Sequence, residues 1–227
     1  MIQTEICTPG HLSAINAKTG GASRIELCEN LNIGGTTPRM EDVAYCVREL
    51  SLRTHVLIRP RGGDFCYNDA EYGQVIEDIH RCREVGAHCV VVGFLTADGR
   101  IDISRTKTAV AAASGMEVTF HRAFDRVADP CRSLEDIIDC GCDRILTSGC
   151  HATAEEGIPM LRELVRQANG RIKILAGSGV TPENVARIVT ETGVAEIHAS
   201  CKKNSPHGLP VTDTKTVEQL LSVLKKL

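Results

Sequence analysis

The chain has 227 residues, of which 42% are hydrophobic, 24% charged and 3% aromatic, and its net charge is −3 at pH 7. These values predict a soluble globular protein that can bury a sizeable core. They do not favour nucleic-acid binding, which needs a basic surface or aromatic stacking platforms. The first ten residues, MIQTEICTPG, show no signal-peptide pattern, and the longest apolar run, at 89–95, is too short to span a bilayer. We therefore expect a cytoplasmic protein with no membrane or nucleic-acid partner.

The chain contains eleven cysteines, a number that could suggest a disulfide framework. The number is odd, no signal peptide is predicted, and most of the cysteines lie inside apolar helix or strand patterns. There is no CxxC pair, and the CxC at Cys140 and Cys142 falls at a predicted helix-to-strand turn. Free cysteine packs as a small hydrophobe. We expect most of these thiols to be reduced and to belong to the core.

Strand-like segments alternate with amphipathic helical segments along the whole chain. The predicted strands are 2–7, 24–29, 54–59, 89–93, 117–121, 144–147, 171–176 and 195–200. Helix starts are predicted at 133–136 and at 181–184, where a cap residue precedes proline, and a last helix at 212–227. Eight βα units predict a single (β/α)8 TIM-like barrel over residues 1–227. A doubly wound sheet is the alternative, but it usually has fewer strands, and no GxGxxG follows the first one.

The alternation within each strand predicts which side chains face the barrel interior, because the outer face packs on helices and is apolar. Strands four, six and seven have apolar residues at both alternating sets of positions, so this test does not show which of their side chains face inward. The other five strands give an inward set of polar residues and thiols: Glu5, Cys7, Glu26, Cys28, Arg59, Arg61, Thr119, His121, His198 and Ser200. One interpretation is a ligand site at the C-terminal mouth of the barrel. The other is a polar core in which Arg59 neutralises Glu5 and Glu26.

Loops of small residues at the predicted mouth suggest that an anion binds there. After strand seven comes Gly177-Ser178-Gly179, followed by a helix start, and backbone N–H groups in such loops approach phosphates closely. The predicted anion ligands are Arg59, Arg61, Ser148, Gly177, Ser178, Gly179 and Ser200. The alternative is that the loops are tight turns and that the arginines pair with nearby carboxylates.

Two kinds of chemistry fit the inward set. Glu5, Glu26, His121 and His198 could transfer protons in an enzyme of lyase, isomerase or hydrolase type that acts on a small anionic or phosphorylated molecule. Such an enzyme would not form a Schiff base, because no lysine lies at the inward end of a strand. We predict no organic cofactor.

The thiols of Cys7 and Cys28 support a different hypothesis. They lie near the ends of adjacent strands on the inward face, and soft thiolates select Cu(I). The alternative is that both are small core residues.

Several strings in fixed order closely resemble the copper homeostasis protein CutC family: RIELCENLNIGGTTP, IRPRGGDF, VTFHRAFD, RILTSG and the Ser178-Gly179 loop. The resemblance covers essentially the whole chain. It implies a TIM-like barrel, a cytoplasmic location, a role in copper handling and Cu(I) binding through Cys7 and Cys28. The enzyme remains the alternative function, and a third hypothesis is an oligomeric scaffold. The sequence leaves the oligomeric state open.

Overall fold

The structure is a computed structural model that describes residues 2–204 and 210–227. Eight parallel strands form a closed barrel in which each strand pairs with its neighbours in chain order and the last pairs with the first. The strands are β1 Gln3–Pro9, β2 Arg24–Cys28, β3 Arg53–Leu57, β4 Cys89–Val92, β5 Glu117–Phe120, β6 Arg144–Thr147, β7 Lys173–Ala176 and β8 Glu196–Ala199. The predicted (β/α)8 barrel is therefore confirmed.

Eight helices follow the eight strands. They are α1 Gly10–Thr19, α2 Met40–Ala44, α3 Asp69–Val85, α4 Ile103–Ala112, α5 Pro130–Cys140, α6 Ile158–Ala168, α7 Val185–Thr192 and α8 Thr214–Leu224. A π turn, Tyr45–Glu49, continues α2, and 3-10 turns at Leu31–Ile33 and Arg122–Arg126 follow β2 and β5. None of the helices in the described ranges is both long and apolar enough to cross a bilayer.

Side-chain caps determine where several of the helices begin. Helix α5 starts at Pro130, before the predicted 133–136, because Asp129 accepts a hydrogen bond from the Arg132 N–H and proline occupies the first turn. Helix α8 likewise begins after Asp213, which accepts from the Thr216 N–H.

Sequence analysis did not predict a small hairpin that precedes helix α8. Its strands, β9 Lys202–Asn204 and β10 Pro210–Thr212, pair antiparallel beyond the end of β8.

The outward faces of the strands pack against the helices, as the alternation predicts. Ile6, Ile25, Val56, Phe120 and Ile197 are fully buried in one large hydrophobic cluster with the helices. All eleven cysteines are free, and Cys66 is the one with an exposed side chain. This arrangement leaves the opposite face of each strand to fill the barrel interior.

The lower part of the barrel interior contains a buried ion-pair network rather than apolar layers. The Arg24 guanidinium lies 3.1 Å from Glu5 Oε2 and 2.7 Å from Glu196 Oε2. Arg144 also contacts Glu196, at 2.6 Å, and reaches Glu117 at 3.2 Å. Because each of these charges has an opposite partner, the cost of burying them is offset.

Candidate functional site at the barrel mouth

A cavity of about 860 Å³ opens at the C-terminal ends of the strands. Parallel barrels place their ligand sites at this end. Eight of the residues predicted for the site line it: Cys7, Glu26, Arg59, His121, Ser178, Gly179, His198 and Ser200. Five other residues predicted for the site do not line it: Glu5, Cys28, Arg61, Ser148 and Gly177.

Two thiols lie close together beside this cavity, of which Cys7 belongs to the lining and Cys28 does not. The Sγ atoms of Cys7 and Cys28 are 3.9 Å apart, and both side chains are buried. Leu57, Cys89 and Val91 pack around them, so water does not surround the pair. The hydrogen bond to Cys28 and burial raise the pKa of Cys7 well above its ordinary value. Both sulfurs are therefore positioned for one ligand, and Cys7 must lose a proton to bind it.

His198 lies beside the thiols and is held by carboxylates on both sides. Its Nδ1 is 2.9 Å from Glu5 Oε1, and its Nε2 is 3.7 Å from Glu26 Oε2. Burial opposes protonation of the imidazole, but Glu26, Cys7 and Glu5 together raise its pKa well above the ordinary value. We conclude that His198 is an imidazolium whose ring position is fixed by Glu5.

The two carboxylates next to His198 have opposite pKa shifts. Burial alone would raise the pKa of Glu5, but His55, His198 and Arg24 hold it well below its usual range. Burial, together with the charge of Glu5, raises the pKa of Glu26 to about 7, although the charge of His198 and a hydrogen bond with Cys7 act in the opposite direction. These contacts thus favour the charged form of Glu5, whereas the pKa of Glu26 lies near neutral pH.

The donor atoms at this position can hold a metal ion. Donor atoms of Cys7, Glu26 and His198 lie within 4.8 Å of one another, and the Sγ of Cys28 is 3.9 Å from that of Cys7. A set with two sulfurs is suited to a soft or borderline ion rather than to Mg²⁺ or Ca²⁺.

A second group of possible metal ligands lies deeper in the barrel. It consists of His55, Cys89 and Glu117. The Glu117 carboxylate is already 3.0 Å from Arg53 and 3.7 Å from the Lys173 Nζ. These cations would repel a metal ion, so this group is better explained as part of the core.

His121 is present at the mouth, but its hydrogen bonding does not suit the role of a base. Its Nδ1 accepts a 3.1 Å hydrogen bond from the Ala123 N–H, so the neutral ring carries its proton on Nε2. Burial, together with the charge of Arg59, lowers the pKa of His121 to about 3. A Cβ at position 93 would lie 2.3 Å from this Nδ1, so Gly93 leaves the space that the imidazole occupies. His121 therefore offers a hydrogen-bond donor, whereas the sequence suggested proton transfer.

Arg59 is anchored by backbone carbonyls rather than by carboxylates. Its guanidinium donates to the carbonyls of Ile33, Gly35 and Gly63 at 2.9 to 3.1 Å, and it lies 5.0 Å from the ring centroid of Phe65. In the described residues no carboxylate lies within ion-pair distance of it. The expectation that Arg59 neutralises Glu5 and Glu26 is therefore wrong; Arg24 does this for Glu5.

Three residues predicted to bind an anion do not line the cavity. Arg61 turns outward, with its Nε 2.6 Å from Glu71 Oε1. The Ser148 N–H and hydroxyl both donate to Asp125, which fixes the loop after β6. Gly177 donates its N–H to the Thr147 carbonyl. The remaining predicted anion ligands, Arg59, Ser178, Gly179 and Ser200, do line it.

Sequence reasoning missed three buried residues that organise the site. Arg24 and His55 occupy inward-facing positions in the alternation of their strands. Extending that alternation by one more inward position toward the start of each strand would have found them. Arg144 gave no comparable signal, because the alternation in strand six does not show which of its side chains face inward. These residues lie below the cavity and determine the charge of the groups above them.

Comparisons with known proteins agree with this architecture. The family model described as CutC family matches residues 2–203. A CutC family protein of Bacteroides fragilis is 50% identical over 90% of this chain and 82% of its own length, and one of Vibrio vulnificus is 40% identical over 99% and 98%. The crystal structure of the copper homeostasis protein CutC from Streptococcus agalactiae superposes with a TM-score of 0.84 at 36% identity, covering 88% of this chain and 99% of that one.

More distant structures share the fold alone. Phosphoribosylanthranilate isomerase of Pyrococcus furiosus is 14% identical, with a TM-score of 0.64 over the full length of both chains. Such a likeness says nothing about activity. Because the family model and the relatives each cover most of the sequence, the chain belongs to the CutC family.

Proposed function

We propose that this protein binds Cu(I) in the cytoplasm through Cys7 and Cys28 and takes part in copper homeostasis. The observation that carries the proposal is the 3.9 Å separation of two buried sulfurs, one of which, that of Cys7, belongs to a residue lining the mouth. A zinc–thiolate bond is about 2.3 Å long, so an ion of similar size can bridge sulfurs up to about 4.6 Å apart. Thiolates are the ligands that Cu(I) prefers.

The surroundings of the two thiols support the binding of a monovalent ion. Cu(I) with two thiolates has one net negative charge, which is costly in a buried position. The His198 imidazolium lies next to Cys7 and supplies the opposite charge. His198 thus acts as a hydrogen-bonded partner of Cys7, which is a metal ligand in this proposal. Residues that hydrogen-bond to metal ligands usually affect the affinity for the metal.

The proposal is tested by an anaerobic titration in which the protein competes with a chromophoric Cu(I) chelator. We expect the native protein to bind one equivalent tightly and Cys7→Ser/Cys28→Ser to bind none at that affinity. The control is Cys46→Ser/Cys142→Ser, which removes two buried thiols far from the mouth. Equal stoichiometry in the native protein and in Cys7→Ser/Cys28→Ser would show that the copper site lies elsewhere.

A second candidate function is an enzyme of lyase, isomerase or hydrolase type. The observation that favours it is Glu26, a carboxyl group with a pKa of about 7 in a cavity far larger than one ion needs. A base is most effective when its pKa is near the working pH. We expect the native protein to consume a component of a metabolite extract, followed by mass spectrometry, and Glu26→Gln not to. If both proteins leave every component unchanged, or both consume the same one, Glu26 is not a catalytic base.

A further inference from the structure

The cavity wall has an excess of positive charge, although the whole chain is slightly acidic. Arg59, Arg126 and Lys202 all line the cavity, and in the described part of the chain none of them lies within 4 Å of a carboxylate oxygen. The carboxylate of Asp125, also in the wall, is already paired with Arg122 at 2.7 Å. Cations concentrated in a concave site attract anions.

Two buried hydrogen-bond donors in this wall have no partner among the residues that the structure describes. They are Nε2 of His121 and Nε of Arg59, in side chains that are 4% and 5% exposed. Leaving a buried donor unsatisfied destabilises a protein, because the donor has given up its hydrogen bonds to water. Both groups contact Phe65, whose ring centroid is 4.9 Å from the His121 ring and 5.0 Å from the Arg59 guanidinium. Both unsatisfied donors therefore lie beside the same aromatic ring of the cavity wall, and a ligand that brought acceptors to this part of the wall would satisfy them.

The loop after β7 offers a third set of donors to the same cavity. The N–H groups of Ser178, Gly179 and Val180 donate to no atom of residues 2–204 or 210–227, and all three residues line the cavity. Ser178 and Gly179 have φ angles of +85° and +67°. Successive residues in such turns form a concave set of N–H groups that binds anions. Side-chain bonds hold the loop in place: the Ser178 hydroxyl donates to the Ala152 carbonyl, and Asn184 Nδ2 donates to the Gly179 carbonyl.

We propose that the mouth of the barrel binds a small organic molecule carrying a phosphate monoester. The 178–180 loop and Lys202 hold the phosphate, and oxygens of the organic part accept from His121 and Arg59. Three backbone donors and unpaired cations match a dianion with three terminal oxygens better than they match a carboxylate. This ligand site involves neither thiol, so a failure of the copper proposal would leave it intact.

The test is a titration of the ¹⁵N-labelled protein with inorganic phosphate and with glycerol 3-phosphate, followed by amide chemical shifts. We expect saturable shifts at Ser178, Gly179 and Val180 with both probes, tighter binding of glycerol 3-phosphate, and no such shifts with glycerol. The same result is expected in Cys7→Ser/Cys28→Ser. If neither phosphate compound shifts these amides, or if glycerol shifts them equally, the site does not exist.

Two adjacent lysines provide a matched pair of variants that should leave the fold unchanged. Lys202 lines the cavity, whereas the Nζ of Lys203 is 2.9 Å from Asp213 and outside it. Removing one charge about 4 Å from the phosphate costs about 1 kcal/mol in water, so Lys202→Gln should weaken binding roughly fivefold. Lys203→Gln should bind like the native protein. Equal affinities for the two variants would overturn the assignment of the phosphate to this corner of the mouth.

Discussion

Replacing Arg144 by methionine is expected to lower the free energy of unfolding by about 3–5 kcal/mol, the cost of removing one partner from a buried ion pair. The Arg144 side chain is 1% exposed, and its guanidinium reaches Glu196, Glu117 and the Thr119 hydroxyl. Methionine preserves most of the volume but leaves those acceptors without a donor. Equilibrium unfolding in urea, monitored by circular dichroism, measures the change.

Arg53 provides the control, because it contacts the same carboxylate from the surface. Its guanidinium lies 3.0 Å from Glu117 Oε2 but is 44% exposed. Exposed pairs contribute about 0–1 kcal/mol, so Arg53→Met should have a small effect. Similar losses in the two variants would mean that burial does not determine the strength of this network.

The pH dependence of stability provides an independent check on the same residue. Despite partial burial, Arg144, Arg53 and Lys173 lower the pKa of Glu117 to about 2, below its ordinary value of 4.5. A carboxyl group with a depressed pKa stabilises the fold above its unfolded pKa, and this contribution disappears as the pH falls toward the folded value. The native protein should therefore lose stability between about pH 5 and pH 2. The loss should be smaller in Arg144→Met, because the pKa of Glu117 moves closer to its ordinary value.

The sequence predicted the barrel and much of the mouth because strand alternation is a local property. It placed Cys7, Glu26 and His198 on the inward face, where the structure has them. The alternation failed beyond the strand ends: Arg61 lies four residues past β3, where the chain turns and the side chain reaches Glu71 on α3.

Other features of the site depend on contacts that no local pattern encodes. The protonated nitrogen of His121 follows from the Ala123 N–H, which is positioned by the 3-10 turn after β5. The pairing of Glu5 with Arg24 rather than with Arg59 depends on how adjacent strands are staggered, since Ile6 pairs with Ile25 while Glu5 pairs with His198 on the other side. The sequence identified Glu5, Glu26 and Arg59, but it could not assign their partners.

Replacing Glu5 by glutamine is expected to weaken Cu(I) binding by about 10- to 100-fold, the usual effect of removing a residue that orients a metal site through another group. Glu5 touches neither thiol, but its carboxylate is 2.9 Å from His198 Nδ1 and 2.6 Å from His55 Nδ1. A neutral amide no longer stabilises the imidazolium, so less positive charge remains beside Cys7 to offset the two thiolates. The measurement is the chelator competition described above, together with urea unfolding of the copper-free variant.

Glu196→Gln separates the effect on copper from the loss of stability. Glu196 belongs to the same buried network, since Arg24 and Arg144 both contact it, but it does not contact His198. Each variant removes one buried carboxylate, so the free energy of unfolding should fall in both. The loss should be about 3–5 kcal/mol where the substitution leaves a buried charge unpaired. Only Glu5→Gln should also lose affinity for Cu(I). If Glu196→Gln weakened copper binding as much as Glu5→Gln, the effect would come from general loosening of the barrel, and His198 would have no particular role at the thiols.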